Sequence, residues 1–433
     1  THRSRKARLM KPMQPVRGTA DLMPKQKSQI NIVLEKAHLI ASRYGFQDME
    51  TPIFEFTEVF SRPLGESSDV VAKETYSFED RGGSSLTLRP EGTASVMRAL
   101  ISNGLTQSLP QKFYYAGPMF RYERPQKGRM RQFHQIGCEY IGSFNPLADA
   151  EVIGCAAQFL SELGVLDTCI LHLNSLGDTE SRNNYRAKLV AFLSDYKNDL
   201  SVDSQRRLNE NPLRILDSKV NEDREIIKNA PRLPAFLNTQ SKQHFEQVTN
   251  ALDKAGINWK LDTNLVRGLD YYSHTAFEFI TDELGSQGTV LGGGRYDGLS
   301  ALLGGPDIGA VGFAAGVERL ALLIEQKQEF TYDIAVVIAD DNAASDGFAL
   351  AQNLRLQGLK TDIPMAPQLG KKLKRASLIG CKLSFIIGEN EIKSDTVLVK
   401  IMMTGEQKKI GISEAISFAV KFLERELESN LSE

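Results

Sequence analysis

From Phe120 to Tyr140 the chain reads FRYERPQKGRMRQFHQIGCEY, a stretch dense in groups that bind anions and amines. Arg121 and Glu123 alternate with Phe120 and Tyr122, a period of two that predicts a strand with both charges on one face. Pro125 and Gly128 break that period, and a second alternation then sets Phe133, Gln135, Gly137 and Glu139 on one side. Paired as a hairpin, the two strands would gather a fixed guanidinium, two carboxylates, an amide and an aromatic ring on one sheet face. Such a face suits a polyanionic nucleotide beside an amine. Taken alone, the same charges also fit solvated ion pairs at a sheet edge, worth about 0–1 kcal/mol each.

Further groups shift the balance toward a ligand site. Arg267 in VRGLDYY and Arg319 in GVERL join Arg121 as permanently charged, bidentate donors matched to phosphate oxygens. Glycines beside them, at 268, 292 to 294 and 309 to 316, let a ligand approach the backbone, although each also fits a bulge or a packing contact. The sequence contains no GxxxxGK[ST] phosphate loop, and LGGGRYDG lacks the spacing of a dinucleotide fingerprint. A nucleotide would therefore be held by side chains.

These groups need a scaffold, and the 433 residues are enough for two or three cores. An amphipathic helix is predicted over Gln26–Tyr44, a strand over Phe46–Phe60, and two short strands at Thr75–Phe78 and Leu86–Arg89. In LRPEGTASVMRAL a strand hands over to a helix at Glu91 and Thr93. A helix over Pro146–Leu163 and a strand at Cys169–Leu173 follow. The charged, Asn-rich stretch from Gly177 to about Gly256 reads as a helical insertion. Strand patterns return at Leu265–Ile280, Gly288–Asp297 and Gly309–Leu323, the last ending as a helix. From Tyr332, strands alternating with helices predict a compact α/β domain.

A net charge of −2 argues against indiscriminate nucleic-acid coating, so any RNA contact is expected to be regional. The KKLKR cluster, with Lys371, Lys372, Lys374 and Arg375, is one candidate phosphate contact, and a solvated helix face is the alternative. No apolar run approaches a membrane span. Cys138, Cys155, Cys169 and Cys381 are scattered, without zinc spacing, which fits free thiols in a reducing cytoplasm. The six histidines are scattered too and are expected to serve packing or surface roles. The basic, acid-free segment Thr1–Lys11 reads as a processed or non-native tail, with an organellar transit peptide as the alternative.

The segments RGTADLMP, LRPEGT, FRYERPQKGRMRQFHQ, LVRGLDYY, GGGRYDGL and GFAAGVERL together resemble the bacterial-type histidine–tRNA ligases, a family of class II aminoacyl-tRNA synthetases. The likeness runs from about Met13 to the end, and LVRGLDYY and QFHQIGCEY are its most specific parts. It implies an α+β fold: a class II catalytic domain over 13–330, after a tail at 1–12, with a six-stranded antiparallel sheet, flanking helices and the insertion at about 177–256. It also implies an anticodon-binding domain over 331–433 and a homodimer built around Thr51-Pro52.

By the same resemblance, Arg121 holds the α-phosphate of ATP, Glu123 reads the adenine amino group, Phe133 stacks on adenine and Arg319 meets the γ-phosphate. Glu91, Gly92, Thr93 and Gln135 would bind histidine around its amino group, with Glu139 and Tyr272 on the imidazole and Tyr271 beside them. Arg267 would sit between the substrate carboxylate and the α-phosphate. Arg129 and Arg131 would reach the acceptor end of tRNA(His). Mg2+ would accompany ATP, and the number and ligands of the metal ions stay open. The implied activity is activation of L-histidine and its transfer to tRNA. Two other readings share parts of this pattern: a non-catalytic regulatory paralogue that binds histidine, and a sister class II ligase.

Overall fold

The computed structural model describes residues 13–64, 74–125, 128–218, 220–265, 271–285, 288–324 and 332–431. The chain forms two compact units, Thr1–Glu325 and Gln326–Glu433.

The first unit is built on a large sheet. Its strands are β1 (Gln47–Asp48), β5 (Gln111–Phe120), β6 (Gln132–Ile141), β7 (Cys169–Ser175), β8 (Lys260–Leu261), β9 (Ser273–Thr281), β10 (Thr289–Arg295) and β11 (Ala310–Gly316), in the spatial order β1-β5-β6-β11-β10-β9-β7-β8. The six inner strands are antiparallel, and a two-residue parallel strand extends each edge. A smaller sheet joins β2 (Phe54–Phe56), β3 (Tyr76–Glu79) and β4 (Ser85–Leu88) in the order β2-β4-β3.

Strand alternation divides the large sheet into two working faces. On β6, Ile136 and Cys138 join the core formed with helices Pro24–Arg43 and Pro146–Glu162. The first of these helices buries Ile30, Val33 and Ile40, each worth about 1.5–3 kcal/mol when removed from water. Phe133, Gln135 and Glu139 take the opposite face, toward helix Thr93–Ser102. Between β7 and β8 the chain is mainly helical, and Asp223 there ties Ser201, Ser204 and Ser218 together through their hydroxyls.

Two strand expectations are corrected. Phe46–Phe60 is not one strand: β1 stops at Asp48, β2 covers only Phe54–Phe56, and a helix runs over Glu58–Leu64. Pro52, which has no N–H to give a ladder, lies in the break. The strand expected to carry Arg121 and Glu123 ends at Phe120, so both residues stand in the connection that follows β5. The apolar–polar alternation of the sequence continues past the end of the strand, and one further bond, Arg121 N to Arg131 O at 2.9 Å, follows the last ladder pair.

The second unit has a five-stranded mixed sheet, β13-β12-β14-β15-β16, formed by β12 (Ile334–Ile338), β13 (Thr361–Asp362), β14 (Leu383–Ile387), β15 (Thr396–Ile401) and β16 (Gln407–Gly411). Leu350 and Leu354 of helix Ala344–Leu356 pack with Val336, Phe385 and Val399 in its core.

Candidate active site

The site-bearing face of the large sheet opens into a cavity of about 400 Å³ whose walls come from β6, β9, β10, β11, the Pro90–Thr93 turn and the connection after β5. Of the proposed histidine and ATP residues, Glu91, Thr93, Arg121, Glu123, Phe133, Gln135, Tyr271, Tyr272 and Arg319 line it. Glu139 and Gly92 lie just beneath that surface, in direct contact with its lining. Arg267 lies outside the described residues, as does Gly268.

One end of the cavity is cationic and aromatic. Arg121 is oriented by its Nε, which donates to Pro90 O at 2.8 Å, and its guanidinium lies 5.4 Å from the centre of the Phe133 ring. Glu123 sits between two cations, with Oε1 3.8 Å from Arg121 and Oε2 3.1 Å from Arg129. Arg319, on the short helix Val317–Ala321 after β11, donates through Nε to Thr289 O at 3.1 Å. Burial lowers its pKa, and Arg129 nearby adds to the effect. Gathering like charges in this way costs energy that an anion would relieve.

The other end is polar, enclosed and acidic. Glu91 caps helix Thr93–Ser102, accepting from Thr93 N at 2.5 Å and Ala94 N at 3.0 Å. This use of a side-chain carboxylate at a helix start satisfies orphan donors and faces the positive end of the helix. Burial nevertheless raises the Glu91 pKa. Gln135 Oε1 accepts from Gly92 N at 3.1 Å and from Tyr115 OH at 3.3 Å. Tyr115 is wedged where neither Gly92 nor Gly137 has room for a Cβ, since either would come within 2.3 Å of its ring.

Glu139 is the more enclosed of the two carboxylates at this end. Thr93 Oγ1 donates to its Oε1 at 2.6 Å, and Tyr296 OH donates to its Oε2. Burial pushes its pKa up to about 8, against the pull of those hydroxyls. Tyr271, Tyr272 and Tyr296 form an aromatic cluster around it, and the buried Tyr271 hydroxyl has no hydrogen-bond partner among the described residues. An unpaired buried hydroxyl on a cavity wall is a group left for a ligand to satisfy.

Gly312, within the glycine run at 309 to 316, proves to be a packing contact against Glu139. Sequence reasoning missed Tyr115 and Tyr296, which build the polar end, and the support beneath the sheet. There Arg295, fully buried, holds the equally buried Asp149 with Nε 3.1 Å from Oδ2 and reaches Asp297 at 2.9 Å. Glycine runs in LGGGRYDG and GAVGFAAG were a signal for close contacts at the polar end, because glycine inside a strand marks close approach. Nothing in the sequence joins positions 149 and 295. His134 is not a free surface group: its backbone N donates to both Glu318 oxygens at 2.9 Å and its Nδ1 lies 2.8 Å from Oε1.

The tRNA candidates divide. Arg129 lines the cavity, whereas Arg131 lies over the Tyr122 ring at 3.7 Å and donates to Glu123 O. On helix Leu369–Leu378, Lys372 Nζ donates to Ile338 O at 2.6 Å and Arg375 pairs with Asp362 at 3.1 Å, while Lys371 and Lys374 are exposed. Among the described residues no group of three His, Cys, Asp or Glu side chains is arranged to hold a metal.

The histidyl-tRNA synthetase family model matches residues 18–320, and an anticodon-binding-domain model matches residues 333–422. A histidine–tRNA ligase of Gluconacetobacter diazotrophicus is 51% identical over 403 residues, covering 93% of this chain and 97% of that protein. A Rhodospirillum rubrum protein of the same name is also 51% identical, over 96% of this chain and 100% of its own length. The solved apo histidyl-tRNA synthetase of S. aureus superposes with a TM-score of 0.80 at 36% identity, covering 94% of this chain and 99% of that one. Likeness of this extent, over a cavity with one end built for an anion and the other for a polar side chain, shows that the chain belongs to the histidyl-tRNA synthetase family.

Proposed function

We infer that this chain activates L-histidine with ATP to histidyl-adenylate and transfers the histidyl group to the 3′-terminal adenosine of tRNA(His), releasing AMP. The observation that carries the reading is the two-ended cavity, with arginines and an aromatic ring at one end and buried hydrogen-bonding groups at the other. Named ligases that match over almost the whole chain, and the matched anticodon-binding region, favour it over the regulatory paralogue.

In the first step the histidine carboxylate attacks the α-phosphorus and pyrophosphate leaves. The nucleophile is already ionised, so no general base is required. Negative charge builds on the phosphate oxygens, and preplaced cations lower that barrier electrostatically. Arg121 takes the α-phosphate, with Phe133 beneath the adenine and Glu123 at its amino group; Arg319 takes the γ-phosphate. Arg267 bridges the carboxylate and the α-phosphate. Mg2+ would accompany ATP, held mainly by water and phosphate oxygens with one or two carboxylates, and would supply positive charge to the phosphates. Glu123, Glu278 and Glu318 are the acidic side chains on the nucleotide side of the lining.

Glu91, Gly92, Thr93 and Gln135 surround the amino group, while Glu139 and Tyr272, with Tyr271, read the imidazole. A pocket built to hydrogen-bond a substrate rejects analogues that lack those groups by about 10⁴–10⁵. Lys371 and Lys374, exposed on their helix, are the better phosphate contacts of the KKLKR cluster, and Arg129 is the better acceptor-end contact of the hairpin pair. The exposed Ile53, Phe54 and Phe56 beside Thr51-Pro52 support a homodimer through that region. A cytoplasmic location accords with free thiols at Cys138, Cys155, Cys169 and Cys381. ATP–pyrophosphate exchange with each of the twenty amino acids tests the reading. Exchange with histidine alone is expected; exchange with another amino acid would indicate a sister ligase, and none would indicate the paralogue.

A further inference from the structure

Glu139 is held from three directions, by a hydroxyl on each carboxylate oxygen and by backbone behind it. Thr93, the first residue of its helix, donates to one carboxylate oxygen and Tyr296, just beyond β10, donates to the other. Behind the carboxylate runs the backbone of Gly312, which pairs with Glu139 in the β6–β11 register and leaves no space for a Cβ. Tyr296 itself is 1% exposed, so its hydroxyl has no competing water and its ring has little freedom.

The same ring orders the tyrosines of the LDYY segment. Tyr271 meets Tyr296 edge-on, with centroids 5.8 Å apart at 71°, and Tyr272 meets it at 6.2 Å and 88°. Edge-to-face contacts of this kind fix ring orientation as well as burying area. One buried residue thus touches the carboxylate and both phenol rings of the polar end.

We propose that Tyr296 is the positioning residue of the imidazole subsite, aligning the Glu139 carboxylate through its hydroxyl and the Tyr271 and Tyr272 rings through its edge contacts, so that it governs histidine affinity without touching the nucleotide. This rests on the reading that the polar end of the cavity takes histidine. The titratable groups that face Glu139 are Glu91 before the helix, Tyr115 on β5, Tyr271 ahead of β9 and Tyr296. Of the two principal donors, each hydrogen bond favours the charged carboxylate, so removal of either moves Glu139 ionisation to higher pH.

The test is Tyr296→Phe in the full chain, which keeps the ring and deletes only the donor. Direct calorimetric titration with L-histidine should show affinity weakened about tenfold or more, the usual effect of losing a hydrogen bond to a charged group. The KM for ATP should stay within about threefold, and the step in histidine affinity set by Glu139, near pH 8 in the parent, should move upward. Thr93→Val, which removes the donor to the other oxygen, should move that step in the same direction and covers the case of a misfolded Tyr296→Phe. Unchanged histidine affinity, an unmoved pH step, or an equal loss of ATP affinity would overturn the proposal. A parent protein that binds histidine yet catalyses no exchange would refute the ligase reading while leaving the role of Tyr296 to be judged on affinity; a parent that binds no histidine would refute both.

Discussion

Glu139 and Gly312 face one another across the β6–β11 pairing so closely that a Cβ added at position 312 would lie 1.7 Å from Glu139 Oε2. The same Cβ would also stand 2.6 Å from Cys138 O, so the obstruction includes backbone that cannot swing aside. Gly312 has no left-handed conformation to explain it; the need is for space.

Gly312→Ala is therefore expected to displace the Glu139 carboxylate and cost histidine binding at least tenfold, with stability falling by about 1–3 kcal/mol from overpacking. Histidine titration and urea unfolding on the same protein check this. Parental affinity for histidine would show that the carboxylate does not need its present position.

The pH dependence of stability has a defined sign at Glu139. Burial, the largest influence, raises its pKa from 4.5 to about 8. The unfolded chain gives up this proton near the lower value and the fold keeps it until the higher one. Unfolding thus releases a proton between them, and the Glu139 contribution to stability is full below the unfolded value and is lost as pH rises toward 8. Glu139→Gln removes the titration, so its melting temperature should fall less between pH 5 and pH 8 than that of the parent. Parallel melting curves across that range would refute the assignment.

Residues that meet through strand alternation were legible in the sequence. Phe133, Gln135 and Glu139 share a face because a period of two requires it, and the LRPEGT turn announced the helix that brings Glu91 and Thr93 to them. The boundary at Arg121 was not legible, because the apolar–polar pattern runs on past Phe120, the last residue of β5. Tyr115 and Tyr296 were invisible for another reason: each acts through a contact set by tertiary packing, and a tyrosine carries no local mark of what it touches; the glycine run around Gly312 marked a close approach without saying to what.

The Asp149–Arg295 pair shows the same limit and yields a sharper stability test. Both side chains are fully buried, and Asp149 also lies 3.4 Å from His244 Nε2. Burial alone would raise the Asp149 pKa, but His244 and Arg295 outweigh it and the value is lowered. Asp149→Asn leaves the Arg295 charge without its main partner in a dry interior, a change that costs about 3–5 kcal/mol. The midpoint of urea unfolding should drop accordingly with little change in slope. A loss below about 1 kcal/mol would mean that Asp297 at 2.9 Å compensates the arginine by itself.

Arg267 offers the most direct test of the chemistry. Arg121 and Arg319 are each tethered through Nε to a backbone carbonyl, Pro90 O and Thr289 O, which orients both guanidinium groups at the cationic end of the cavity. The reaction brings two anions together, the substrate carboxylate and the α-phosphate. A further cation at that junction would act mainly as charge accumulates, lowering the barrier more than it strengthens binding. Arg267→Ala should therefore reduce the single-turnover rate of adenylate formation by about 10² or more, with a much smaller effect on histidine affinity. Arg267→Lys keeps the charge without the planar fork and should fall between the two. Rates equal to the parent for both variants under saturating ATP and histidine would remove Arg267 from the reacting centre.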